Sequence, residues 1–410
     1  MSHRSLPTRR RAAVRVAALV ASLILLSGCS GADTSQPAGT GTTPPNAAAP
    51  ATAGSATAAT TDAEATGPDP MPSSREEVSV VVTGDVLLHP PLWEQAKEDG
   101  SAATPDFAPL LSGLAPYLAD ADLAICSLET PVGTDKGPYR GYPSFVVPPQ
   151  ILPALASTGY DACTTATNHA VDDGTSGVER TLDALDEAGL EHTGTYRSAA
   201  EARKPLILET GGIRVGVVAA TYGLNGLSAD TDWRVDLIDT DQMIARARQA
   251  RKAGADVVLA GFHAGEEYST RPTTEQTHIA HTLADSGEFD AVYSHHTHSV
   301  LPLEKRDGVW IAYGLGNSVS AHATDLAVNR EGVSLKLDFV KEGDRWTTSA
   351  PRWVGHIMAQ DPVRWCALPA KTPCTTAAGD AASLKRTRST LNVLGADGDG
   401  ARPWRPAASP

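Results

Sequence analysis

Val78-Ser79-Val80-Val81-Val82-Thr83-Gly84-Asp85-Val86-Leu87-Leu88-His89 is the stretch whose reading decides the fold. Its β-branched run reads as a buried strand, and it stops at Gly84-Asp85, a turn pair that carries a carboxylate. Downstream the event recurs. Glu129 follows a second strand in Cys126-Ser127-Leu128-Glu129-Thr130-Pro131, and Asn168-His169 closes a third in Thr167-Asn168-His169-Ala170-Val171-Asp172. His263 ends another in Gly261-Phe262-His263-Ala264-Gly265-Glu266-Glu267-Tyr268, and Ser294-His295-His296-Thr297-His298 closes the next. In α/β folds this carboxyl edge is where sites are built.

Working outward, strands are expected at 78–83, 122–127, 161–166, 206–209, 213–219, 256–261, 290–294, 309–313 and 332–340, with helices between them. The spacing of Val178, Leu182, Leu185 and Ala188 predicts a helix over 174–188 that Gly189 stops. Pro148-Pro149 precedes a second helix, and a third is expected from Thr240-Asp241, either of which could cap it, to Ala253. Such alternation implies an α/β domain over 77–358, long for one core and suited to a two-sheet sandwich covered by helices. After about Gln360 the pattern decays, so 359–410 is expected to be a largely irregular tail.

Residues 1–28 read as an export leader: Arg4, Arg9, Arg10, Arg11 and Arg15 precede or open an apolar run from Ala17 to Leu26 that is too short to span a bilayer. Leu26-Ser27-Gly28-Cys29 resembles a lipobox, which makes Cys29 the expected lipidation site and acyl chains the expected membrane contact on the extracytoplasmic face. From 29 to 76 the Ala, Thr, Pro and Gly-rich chain is expected to be a disordered tether. Loss of the leader's five arginines, with no acids among them, takes the formal charge from -14 to -19, which speaks against nucleic acid as a partner. Four further cysteines permit disulfides outside the cytoplasm. Cys366 and Cys374 are expected to pair, whereas Cys126 and Cys163 read either as a pair or as buried thiols.

Taken singly, Gly84-Asp85 reads as a turn, Glu129 as a loop acid and Asn168-His169 as an Asx turn. His296 and His298 carry more weight, because alternate residues of an extended segment point the same way. Five strand ends that offer Asp, Glu, Asn and His on one edge make a donor mixture suited to a divalent Zn, Mn or Fe ion.

In order and wording these motifs resemble the CapA family of bacterial capsule and poly-γ-glutamate biosynthesis proteins. The resemblance rests on Gly84-Asp85 with His89, Leu128-Glu129-Thr130-Pro131, Thr167-Asn168-His169-Ala170 with Asp172 and Gly174, Gly177 through Thr181, His263 through Tyr268, His296-Thr297-His298, and Tyr313-Gly314-Leu315-Gly316-Asn317. It implies a four-layer α-β-β-α sandwich of the calcineurin-like metallophosphatase type. It also implies a centre of one or two metal ions held by Asp85, Glu129, Asn168, His263, His296 and His298, with His169 as proton donor to the leaving group. His89, Glu267, Tyr268 and Asn317 would then serve substrate or orient the groups that do. Ser127 stands where the family usually has Asn or His, which weakens one position of that set. The resemblance further implies work on an anionic envelope polymer or its precursors, either as a metal-dependent hydrolase of a phosphoester or γ-glutamyl amide, or as a non-catalytic accessory subunit of a membrane synthase.

Overall fold

The computed structural model describes residues 76–406 apart from 102, 103, 323 and 325, so the leader, Cys29 and the tether up to residue 75 lie outside the described residues. In chain order the strands are β1 (Glu77–Val86), β2 (Leu123–Leu128), β3 (Ala162–Thr164), β4 (Glu191–Thr193), β5 (Leu206–Thr210), β6 (Ile213–Thr221), β7 (Val257–His263), β8 (Ala291–His295), β9 (Leu303–Arg306), β10 (Val309–Ala312), β11 (Asn317–Val319), β12 (Glu331–Glu342), β13 (Arg345–Thr348), β14 (Arg352–Ala359), β15 (Arg364–Leu368) and β16 (Arg402–Pro403). The helices are α1 (Pro90–Asp99), α2 (Ala108–Leu111), α3 (Ala115–Leu118), α4 (Ile151–Thr158), α5 (Gly174–Ala188), α6 (Thr240–Lys252), α7 (Thr274–Asp285) and α8 (Ala377–Leu391).

Two sheets result. One runs β15-β14-β12-β1-β2-β3-β4, with β11 beside β1, β13 beside β12 and β16 beside β14; the other runs β5-β6-β7-β8-β10-β9. Strands β1 to β4 are mutually parallel, as are β6, β7, β8 and β10, so in each sheet the carboxyl ends share an edge.

The inner faces meet in an apolar layer built from Val78, Val80, Val82, Leu123 and Ile125 on one side and Val215, Val217, Val257, Leu259, Ala291 and Tyr293 on the other. The outer face of the first sheet is covered through Leu92, Leu110, Leu152, Leu155, Val178 and Leu182, and that of the second through Met243, Ala247, Ile279 and Leu283. The architecture is the expected four-layer sandwich.

Because side chains alternate along a strand, the inner parity of Leu123 and Ile125 continues to Ser127 and Glu129. That of Val257 and Leu259 reaches His263, and that of Ala291 and Tyr293 reaches His295. In β1 the parity of Val78, Val80 and Val82 would miss Asp85, but the register against β2 shifts between Val82 and Asp85 and turns this carboxylate inward. Gly84 allows the turn: a Cβ there would fall on the Gly316 carbonyl oxygen, whose neighbouring chain pairs Asn317 with Asp85.

Helix α5 spans the predicted residues, and Gly189 ends it at φ 75°. Helix α6 is capped one residue earlier than expected: the Asp239 carboxylate, and neither Thr240 nor Asp241, accepts the Gln242 N–H at 3.1 Å. Cys126 and Cys163 are bridged across directly paired positions of β2 and β3, and Cys366 is bridged to Cys374.

The irregular tail expected after Gln360 is overturned. β15 pairs with β14, α8 packs on β12, β14 and β15, and β16 adds to β14. Just past β16, Trp404 is buried, and its indole N–H donates to Asp120 at 2.9 Å. Long-range tryptophan contacts supply the order that local periodicity does not signal.

Candidate metal centre

The two inner faces bring their carboxyl edges together, and the donors meet there. One ligand atom from each of Asp85, Glu129 and His298 lies within 4.8 Å of the other two, and all three residues are buried. His263 joins them, with Nδ1 3.9 Å from Asp85 Oδ1 and Nε2 3.7 Å from Glu129 Oε1. His298 Nε2 stands 3.7 Å from the same Glu129 oxygen. The His296 backbone N–H donates to Asp85 Oδ2 at 3.1 Å, fixing that carboxylate's orientation.

Second partners aim these rings. The Asn317 side-chain oxygen accepts from His298 Nδ1 at 2.9 Å, which leaves the Nε2 lone pair toward Glu129. Asn317 was expected to serve substrate or to orient the groups that do; buried, and itself donating to the Asn329 carbonyl at 3.1 Å, it takes the second place, behind a histidine. Asn168, expected as a ligand, accepts from His263 Nε2 at 2.8 Å and donates to Asn225 at 3.3 Å, and its carbonyl oxygen keeps a second lone pair.

The electrostatics follow from this packing. Burial pushes the Glu129 carboxyl well above its ordinary range, and the neighbouring carboxylates of Asp85, Glu267 and Asp172 push it further. Burial also pushes Asp85 upward, but His295, His263 and His298 outweigh it and hold that group below the usual carboxylate range. Burial keeps His263 neutral far below its ordinary pKa and brings His296 down to about 4, with His298 adding to the shift. Neutral imidazoles are the form that binds metal.

Among the described residues, Asp85 Oδ1, both Glu129 carboxylate oxygens and the Nδ1 atoms of His263, His295 and His296 are buried and have no hydrogen-bond partner. A partnerless buried polar atom costs on the order of 1–3 kcal/mol, and one divalent cation satisfies several at once. The donor set therefore fits a divalent metal.

Other expected residues fall nearby. His169 Nδ1 donates to Asp172 Oδ2 at 2.7 Å, and the same oxygen accepts the Phe145 N–H at 2.7 Å. That bond fixes the ring's orientation and turns Nε2 away from Asp172, with the Asn225 side-chain amide 3.5 Å from it. His89 is buried between Phe145 and His322, with ring centroids at 5.7 and 4.7 Å. Burial first, then His322 and His298, lowers its pKa to about 3. Glu267 and Tyr268 are exposed, and the Tyr268 ring centroid lies 6.3 Å from that of His298.

His296 departs from the expected geometry. At φ 85° it and His298, at 49°, both occupy the left-handed region, so the segment is bent and the two rings do not line up as alternate residues of a strand. The His296 ring packs on Tyr222 and His263, with centroids at 4.7 and 5.0 Å. His295 holds the place nearer Asp85, its Nδ1 3.3 Å from Oδ1. The parity of Ala291 and Tyr293 was the signal that pointed to His295. Asn225, which bridges Asn168 and His169, and His322 beside His89 carried no motif by which to find them.

A two-sheet α/β sandwich with carboxylate and histidine donors converging at its carboxyl edge is a metallophosphatase-like fold with a candidate metal centre. Residues 79–322 match the model of the bacterial capsule synthesis protein family PGA_cap, and the chain belongs to that family. It is 25% identical over 259 residues to the capsule biosynthesis protein CapA of Bacillus anthracis, a match covering 60% of each chain. It is 29% identical over 214 residues to a probable polyglutamine synthesis accessory protein of Mycobacterium tuberculosis, covering 48% of this chain and 55% of that one. The chain thus spans about three fifths of the length of the curated relatives it matches. Among solved structures it is similar to the calcineurin-like phosphoesterase YfkN from Bacillus subtilis, at 14% identity and a TM-score of 0.44, covering 78% of this chain and 98% of that one.

Proposed function

We propose that this protein is a metal-dependent hydrolase of the bacterial envelope that cleaves a phosphoester or γ-glutamyl amide during synthesis or export of poly-γ-glutamate or a related capsule polymer. The observation that carries the reading is the convergence of partnerless Asp85, Glu129, His263 and His295 atoms beside His298. A Zn, Mn or Fe ion, one or two in number, would be held by Asp85, Glu129, His263 and His298, with His295 and Asn168 completing the set. When bound, it supplies Lewis-acid chemistry to a phosphoryl or acyl oxygen.

The chain's own residues do the rest. Asp172 accepts the His169 Nδ1–H and so stabilises the imidazolium, whose Nε2–H is the proton given to the departing oxygen or nitrogen in general-acid catalysis. Asn225, between Asn168 and His169, keeps the ligand and the acid in one network. Glu267 and Tyr268 guide substrate at the mouth. The lipobox at Cys29, with two disulfides formed in the folded domain, supports export and acyl anchoring at the extracytoplasmic face.

A second reading is an accessory subunit that binds polymer beside a membrane synthase without turnover. The relatives named as accessory proteins favour it, as does Ser127, buried in β2 at the position where the family usually carries a stronger polar group. Elemental analysis of the purified protein, followed by a panel of phosphoesters and γ-glutamyl peptides, decides between the two. Hydrolysis is expected, with metal retained and turnover reduced roughly 10²–10⁴-fold in His169→Ala. Bound polymer with no turnover on any substrate would establish the accessory role.

A further inference from the structure

Resting on the metal-binding part of that reading, we infer that His356 of β14 is a positioning residue of the metal centre: by holding the Asn317 carbonyl it fixes the side chain that aims His298.

The connection is a continuous set of hydrogen bonds. His356 Nε2 lies 3.0 Å from the Asn317 carbonyl oxygen. A carbonyl only accepts, so this nitrogen carries the proton and donates it. The Asn317 side chain in turn accepts from His298 Nδ1 at 2.9 Å and donates to the Asn329 carbonyl at 3.1 Å. Tied at its backbone by His356 and at its amide by Asn329, Asn317 is restrained from swinging its oxygen away from His298. His298 Nε2 then stands 3.7 Å from Glu129 Oε1, and Asn317 is itself the register partner of Asp85. One imidazole on an outer strand thus bears on a residue that adjoins the donors.

A glycine opens the path. His356 and Gly332 are register partners on β14 and β12. A Cβ on Gly332 would lie 2.2 Å from the Asn317 carbonyl oxygen and 2.5 Å from His356 Nε2, so any other residue would occupy the space in which the two meet. Trp365 backs the ring from β15, stacked with 4.5 Å between centroids and 25° between planes. Both rings are buried. Burying a polar group costs free energy unless it is hydrogen-bonded, and an apolar ring would pack against Trp365 without that cost. What His356 adds is the donor, and the donor goes to Asn317. His356, Gly332 and Trp365 all lie past residue 322, where the family match ends, so the strands beyond that point contribute to the site as well as to the width of the sheet.

Zinc affinity of the full chain, measured by chelator competition, tests this. His356→Phe keeps a ring against Trp365 and removes the donor; it is expected to weaken zinc binding roughly fivefold, less than loss of the direct partner Asn317. His356→Gln, whose amide donates in place of the imidazole, is expected to restore most of that affinity. In an Asn317→Ala background His356→Phe should cost nothing more, because the residue through which it acts is gone. NMR of wild-type protein carrying isotope-labelled histidine needs no variant to fold: the His356 Nε2–H signal is expected to move when zinc is added. A Phe variant that is less stable yet binds zinc with full affinity, a Gln variant as weak as the Phe variant, losses that multiply in the double variant, or an Nε2–H signal indifferent to zinc each overturns the inference. Wild-type protein that takes up no zinc, manganese or iron sinks the metal-dependent reading beneath it, and this inference with it.

Discussion

The two sheets make unlike contributions to one site. The sheet containing β1, β2 and β3 supplies oxygen: Asp85, Glu129, Asn168 and the orienting Asn317 all come from it. The sheet containing β7 and β8 supplies nitrogen in His263, His295, His296 and His298. Neither sheet alone presents a full donor set. The oxygen side carries the burial cost, and on the nitrogen side that same burial keeps His263 and His296 neutral. Metal binding is thereby tied to closure of the sandwich, because the donors meet only where the inner faces do.

The largest effect that would break this division is expected at Asp85, whose oxygens lie against histidines on both sides. Asp85→Ala should lower metal affinity by more than the roughly 10–100-fold typical of losing an outer partner, measured by chelator competition. Asn317→Ala should fall within that 10–100-fold range, since it frees the His298 ring without removing a ligand. If the two variants lose equal affinity, the separation of charge-bearing donor from orienting group fails.

Trp404→Ala probes the oxygen sheet from outside. Removing this buried ring, which stacks edge-on to Tyr117 at 5.1 Å, should cost about 3–5 kcal/mol in chemical denaturation while metal affinity changes little. A parallel collapse of metal binding would show that the outer strands also position the donors.

One effect is graded with pH. Burial lowers His296, His322 and His356 to about 4. The unfolded chain, with histidine pKa values near 6.5, therefore binds more protons than the folded one between about pH 6.5 and 4. Stability is full above 6.5 and falls as pH drops through that window, by at most about 1.4 kcal/mol per histidine per pH unit. Denaturation of metal-free protein at pH 7 and pH 5 measures it, and a flat profile would mean that these imidazoles are not held neutral.

The donor edge could be read from the chain because strands leave a period of two and their ends leave turn residues. Asp85, Glu129 and His263 announced themselves in this way. The alternation expected of His296 and His298 is cancelled by positive φ at both positions, and His295, which the strand parity through Tyr293 selects, was missed. The C-terminal region was illegible for a different reason. The buried face of α8 consists of Asp380, Ser383, Thr387 and Leu391, so it shows no apolar period, and its place is set by partners far away in sequence.

The bridge between Cys126 and Cys163 bears on more than compartment. Those residues are direct partners on neighbouring strands, three positions before Glu129 and five before Asn168. A one-residue slip between such strands would carry every side chain to the opposite face. A covalent rung at that point forbids sliding, so the two oxygen-bearing strand ends are locked to one another within their own sheet, whatever the histidine-bearing sheet does.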